Sequence, residues 1–440
     1  MVKKTNKFFS NYTNIIILLT IVTTFSGALR KWAGLPNLIN NIFLLVLMVI
    51  PIYLVFFLTA PKREPVHKGL RIMFNIFLYI ILLLALHPLN TSFYHGIFGI
   101  LINLSFVGIL ISYLKNKNEF DISKITKLFF CILISQVIIA TIQYSSPADS
   151  IINIYADNTQ QDENLVDSNN GETNYSENGI ALVGEAVRVT GTFPYLGGYT
   201  AILFFFLLFT FYLAKKKDTI FFFLLTPIII YCSLLSGARA SVGFVLILII
   251  LFFISEVKLF TKNLKSLATF LVITIGLLTF NFILGDKLNV INYTTLAYNN
   301  FEQRVTENEE ESKGRLTNDL SEVFFRDFKY KQFGVGLGST YQGANSLFGT
   351  SEIIRSTPIE GELFRIVVEG GIFFLFFKWL LIAVIFSYLN LPNLLKISFF
   401  IIFCIFNYTT FNIYNAIYIS LGIICLNHAY VTDDKKTANK

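Results

Sequence analysis

The chain has 440 residues, of which 54% are hydrophobic and 14% charged, with a mean hydropathy of +0.62 and a formal net charge of +7. Soluble domains carry roughly 45–50% apolar and about 25% charged residues, so composition excludes an ordinary water-soluble domain. The apolar residues come in separated runs of membrane-span length, about 20 residues, and in such a protein a pI near 9.0 reports first on topology rather than on nucleic acid.

In chain order, the runs predict about twelve transmembrane helices at 14–29, 38–58, 70–86, 94–114, 128–145, 196–214, 219–235, 241–256, 266–284, 364–387, 395–409 and 411–428. Lipid offers no partner to backbone N–H and C=O groups, so each run is expected to be helical and the fold class is an all-α integral membrane protein. The basic segment Met1–Lys7 precedes a run with no small-residue cleavage site after it, so that run reads as an anchor rather than a removed signal. Cys131, Cys232, Cys404 and Cys425 all fall inside apolar runs and read as small hydrophobes.

The connections sort by charge. The N-terminus, the turns at 59–69, 115–127, 215–217 and 258–265, the tail, and the flanking Arg71, Asp218, Glu256 and Lys396 hold 21 of the 35 Lys and Arg against seven acids. The alternate connections hold 13 basic and 21 acidic residues, and Lys378 falls inside the tenth run. Positive loops stay in the cytoplasm, which predicts cytoplasmic termini. The expected organisation is 1–145 (helices 1–5), 146–195 (first large external loop), 196–284 (helices 6–9), 285–363 (second large external loop) and 364–440 (helices 10–12 and tail). The acidic stretch 157–179 reads as a disordered loop tip. In the second loop, Leu316, Leu320, Val323, Phe324 and Phe328 recur at helical spacing and predict an amphipathic helix.

Four external segments carry candidate chemistry. R-V-T-G-T-F at 188–193 joins an arginine suited to phosphate with a glycine turn; it also reads as a plain turn leading into a span. S-G-A-R-A at 236–240 puts Arg239 at the membrane boundary, where an arginine usually faces the protein interior or a wet cavity. Arg315 opens the amphipathic helix, an unfavourable place for a cation on the helix dipole, and G-V-G-L-G-S follows at 334–339. That glycine run lacks the third glycine and the strand–helix context of a dinucleotide site, so it reads as a tight turn.

The fourth segment holds Arg355, Glu360, Glu362, Arg365 and Glu369. Glu362, Arg365 and Glu369 share one helical face, where Arg365 is placed to pair with both acids, and a carboxylate at 360 can serve as a general base. His67, His87, His95 and His428 all lie outside the two long loops. With no Asp-x-Asp or His/Cys cluster, and the acid run at 307–311 reading as a solvated surface, no metal or cofactor is expected.

At these four segments, in this order, the sequence resembles the O-antigen polymerase and O-antigen ligase superfamily of bacterial envelope polysaccharide enzymes. The resemblance covers most of the chain. It implies a metal-independent, inverting glycosyl transfer from an oligosaccharide on undecaprenyl diphosphate, with both donor and acceptor lipid-linked. It also implies a chain-length regulator and a flippase as partners besides the bilayer, and no nucleic acid. Carried over, Arg239 and Arg315 correspond to the diphosphate-binding arginines, and Arg188 to the first-loop arginine of polymerases. Arg355, Glu362 and Glu369 join the substrate-binding set. Glu360 falls where ligases carry a catalytic histidine, a departure that favours a polymerase and leaves Glu362 as an alternative base. The competing expectations are a ligase acting on another acceptor and a lipid-linked oligosaccharide flippase.

Overall fold

A computed structural model describes residues 11–33, 37–58, 66–148, 150–153, 174–175, 181–183, 186–193, 196–262, 298, 321–357, 359, 362–406 and 412–438. The chain is helical. Eleven of the twelve predicted spans fall on helices, and the range 266–284 lies outside the described residues. Among the described residues six helices are long and apolar enough to cross a membrane: Tyr12–Leu29, Lys68–Ala85, Phe93–Glu119, Ile122–Ser145, Leu196–Lys216 and Leu363–Ser387. Four further apolar helices, Leu45–Phe57, Ile220–Leu235, Ser241–Ser255 and Asn393–Ile405, are shorter.

The chain divides into two compact units. The first takes Met1–Leu19, Asn41–Asp121 and Asn308–Ser420; the second takes Thr20–Asn40, Ile122–Glu307 and Leu421–Lys440. Each is therefore discontinuous in sequence, and three helices contribute to both. These are α1 (Tyr12–Trp32), α2 (Asn37–Ile52), of which only Asn37–Asn40 belong to the second unit, and, at the C-terminus, α14 (Ile413–Ala438).

Unit one is built on α2 (Asn37–Ile52), α3 (Lys68–Ala85), α4 (Phe93–Asn116), α10 (Gln342–Phe348), α11 (Glu352–Arg355), α12 (Glu362–Ser387) and α13 (Asn393–Phe400). Pro51 removes a backbone donor from α2, and the chain passes into a π-helical turn at Tyr53–Phe57. Close approach of α3 and α4 requires a glycine, since a Cβ on Gly96 would stand 2.4 Å from the Ala85 carbonyl oxygen. Phe77 stacks on Phe374 with ring centroids 6.0 Å apart, joining α3 to α12. The predicted amphipathic helix is seen at 321–325, where Val323 is buried and Phe325 exposed. Leu316 and Leu320 lie outside the described residues.

Unit two comprises α5 (Ile122–Ser145), α6 (Leu196–Lys216), α7 (Ile220–Leu235), α8 (Arg239–Ser255) and α9 (Val257–Lys262) with the C-terminal part of α14. Helix α6 is apolar on every face, as a helix enclosed by others must be. Phe129 of α5 stacks on its Phe209 at 4.2 Å, and Phe252 of α8 on its Phe211 at 4.0 Å. A three-stranded antiparallel sheet, Asn174–Tyr175, Ala181–Val183 and Ala186–Val187, interrupts the helices. Residues 174–175 therefore depart from the expected disorder of the loop tip, because Ala181 and Leu182 give them strand partners. Residues 157–173 and 176–179 lie outside the described set.

Candidate functional site

The four candidate segments meet in pairs, one pair within each unit. In unit two, R-V-T-G-T-F leaves the last strand with Val187 and Val189 buried and Arg188 half-buried between them. Two buried glutamines of α5, Gln136 and Gln143, fix the turn that follows. Gln143 accepts the Gly191 N–H at 2.8 Å and donates to the Gly191 carbonyl at 3.0 Å. Gln136 donates to Thr192 Oγ1 at 2.7 Å and accepts its N–H at 3.3 Å, while Thr192 Oγ1 donates to the Thr24 carbonyl of α1 at 2.8 Å. Spaced seven residues apart, the two amides lie on one face of α5. Glutamine suits both jobs because one side chain carries donor and acceptor together.

The same segment touches the turn that carries S-G-A-R-A. The Val189 N–H donates to the Leu235 carbonyl at the end of α7, at 3.4 Å. Gly237 then takes φ +61, and Ser236 holds the bend by donating to the Ser233 carbonyl (2.6 Å) and accepting the Ala238 N–H (3.2 Å). Arg239 is the first residue of α8, and its side chain lies outside the described set. The residue before it, Ala238, has no side-chain oxygen to cap the helix. A helix start normally carries Ser, Thr, Asp or Asn at that position. With alanine there, the first N–H groups of α8 receive no side-chain acceptor from the cap position.

In unit one, G-V-G-L-G-S and the E-G-G of α12 form one structure. Helix α12 breaks at Gly371, where φ is +78 and ψ +169. A break frees backbone groups, and the loop supplies their partners. Val335 and Gly336 donate to the carbonyls of Val368 (2.8 Å) and Glu369 (2.9 Å), and the Ile372 N–H donates to the Lys331 carbonyl at 2.9 Å. Broken helices at membrane depth are tolerated only with such replacement inside protein. Residues 334–340 are all buried. The glycines are required: at Gly338 (φ +77) a Cβ would meet the His95 carbonyl oxygen at 1.9 Å, and at Gly99 one would meet Leu337 and Gly338 within 2.6 Å.

Glu369 closes this structure. Its carboxylate accepts the Gly338 N–H at 2.9 Å, the Thr340 N–H at 3.0 Å and the Thr340 hydroxyl at 2.6 Å. The expected pairing of Glu369 with Arg365 does not form. Arg365 is half-buried, and its Nε has no hydrogen-bond partner among the described residues. The carboxylate prefers three donors fixed by the loop to a guanidinium one turn away, since fixed backbone donors lose no side-chain entropy. Arg355 is exposed at the end of α11, and Glu362 opens α12 with its side chain outside the described set. Glu360, Arg315 and the acid run at 307–311 lie outside the described residues.

Helical spacing does not reveal a further polar cluster in unit one. The α3–α4 turn folds onto the glycine loop: Asn90 donates to the Leu337 carbonyl at 3.0 Å, and Leu337 N–H to the Leu84 carbonyl at 3.2 Å. The buried His95 ring lies between Ser92 Oγ (2.8 Å) and Asn345 Oδ1 (3.0 Å). The only signal the sequence carries for it is Ser92, a residue type that caps helices, and nothing in the spacing links it to Asn345. Deeper in the same unit, the buried Lys378 donates to Asn103 at 2.6 Å.

Compared with protein-family models, curated proteins and solved structures, the chain matches none.

Proposed function

We propose that the chain is a membrane glycosyltransferase that polymerises polysaccharide on the external face of the bacterial inner membrane. It spans the membrane about twelve times with both termini in the cytoplasm. It joins oligosaccharide repeats carried on undecaprenyl diphosphate, with no metal or cofactor. The support for this reading is the juxtaposition in unit two: the segment carrying Arg188 is hydrogen-bonded, through the Val189 N–H, to the end of α7 at Leu235, from which the turn leads to Arg239 on a helix start without a side-chain cap. Two guanidinium-bearing segments and a positive helix end suit a diphosphate, which needs both charge and directed N–H donors.

In the reaction, a hydroxyl of the acceptor sugar attacks the anomeric carbon of the donor. The new C–O bond forms as the bond to the diphosphate breaks, inverting that carbon. Glu360, with Glu362 as the alternative, takes the hydroxyl proton. Arg239, Arg315 and Arg188 stabilise the charge that builds on the departing diphosphate, and Arg355 contributes to holding the substrate. Glu369 acts at one remove, since the loop occupies both of its oxygens.

Glycan from cells carrying Arg239→Ala or Arg188→Ala tests this directly. The expected product is single repeat units on the lipid carrier in place of long chains. Wild-type chain lengths in both variants would overturn the proposal. Long chains retained on the lipid carrier in a deletion strain would point instead to a ligase.

A further inference from the structure

Lys378 and Glu369 are both 1% exposed, carry opposite charge and lie on the same broken helix, on either side of its break at Gly371. Burying one ionised group in a membrane protein is costly, and such groups are retained where they pair with one another or serve a site. The two are joined by a closed path of contacts. Glu369 accepts the Gly338 N–H. Gly338 lies against α4, where Gly99 has no room for a Cβ. One turn along, Asn103 donates back to the Gly99 carbonyl at 2.8 Å and accepts from Lys378 at 2.6 Å. Lys378 then returns the path to α12.

We propose that Lys378 is a positioning residue: with Glu369 it forms a charge-balanced latch that holds the glycine loop 334–340 between α4 and the break in α12. Removing the ammonium leaves the buried carboxylate uncompensated and loosens the seat of the loop on α4. Removing the carboxylate deprives the Gly338 and Thr340 N–H groups of their acceptor. Removing both charges restores neutrality, so the two losses are not independent. The latch joins the two ends of the segment 341–361, which carries Arg355 and Glu360, and Glu362 follows directly. Its relevance to catalysis rests on the proposed polymerase reading; its mechanical role does not.

Hydrogen exchange on the full-length protein in detergent reads the latch without reference to activity. The loop peptide covering Gly338 and Thr340 is compared with α6 as an internal control. The variants are Lys378→Gln, Lys378→Met, Glu369→Gln and the double Glu369→Gln/Lys378→Gln. Lys378→Gln keeps a donor for Asn103 and removes only the charge. Each single variant is expected to speed exchange in the loop by about tenfold, the scale of a lost charge-assisted hydrogen bond, with α6 unchanged. The double variant is expected to speed it by less than the product of the singles. Wild-type exchange in both Lys378 variants would overturn the latch, as would a double effect equal to that product. A rise shared equally by α6 would also overturn it, because that is loss of the whole fold rather than release of a loop. Failure of the polymerase reading would show only in the glycan assay.

Discussion

At Gly191 the backbone turns through φ +59, and a Cβ there would stand 2.4 Å from Gln136 Oε1 and 2.7 Å from the Tyr199 ring. Two constraints thus fall on one residue, and each follows from how Gln136 and Gln143 grip the turn. Gly191→Ala is expected to destabilise unit two by about 2 kcal/mol, from left-handed strain and displacement of a buried amide together. The melting temperature of the purified protein checks this, and an unchanged value would show that the turn adapts. The sequence marks the glycine in R-V-T-G-T-F as a turn. It does not mark Gln136 and Gln143, because buried glutamines in an apolar run look the same whatever they bind. The hydrogen bond from Val189, next to Arg188, to Leu235 is equally hidden, since partners 46 residues apart leave no local pattern.

At the scale of elements, hydropathy locates the helices because burial in lipid or protein selects for apolar residues over whole spans. It fails where a helix is broken. The range 364–387 reads as one continuous span, yet α12 turns at Gly371 and is completed by a loop more than thirty residues earlier in the chain. The E-G-G motif and G-V-G-L-G-S therefore explain each other. The i, i+4 spacing of Arg365 and Glu369 suggested an ion pair, but the long-range donors of Gly338 and Thr340 take the carboxylate. Gly371→Ala tests this joint. A Cβ there would lie 2.0 Å from the Gln332 carbonyl oxygen on a backbone with φ +78. The substitution is expected to cost about 3 kcal/mol, combining backbone strain with disrupted docking. Exposure of the loop to protease in otherwise folded protein is the corresponding observation. A variant as stable and protected as wild type would mean that α12 straightens without loss.

On the scale of the whole molecule, the two compact units are each discontinuous in sequence, and each unites two of the four candidate segments. Interleaved units of this kind leave no composition shift or linker, so the sequence suggested loops and spans in series rather than two bodies. The charge pattern belongs to this scale as well: with the twelve spans proposed, the same +7 that looks like a mild basic bias resolves into a basic side and an acidic side. That proposed topology puts the arginines of interest on the acidic side, where their charge does not serve the positive-inside rule. Two of them, Arg188 and Arg239, stand on segments in direct contact. The acceptor-side base rests on the motif order alone, since Glu360 lies outside the described residues.

Catalysis by the purified protein is the most direct measurement of the central claim. Wild-type protein and Arg239→Ala, both in detergent with a metal chelator and no ion gradient, are given oligosaccharide on undecaprenyl diphosphate. A metal-independent polymerase converts the wild-type reaction to a ladder spaced by one repeat, and the Arg239→Ala reaction stays at the single unit. Unextended donor with folded wild-type protein, or an equal ladder from the variant, would contradict it.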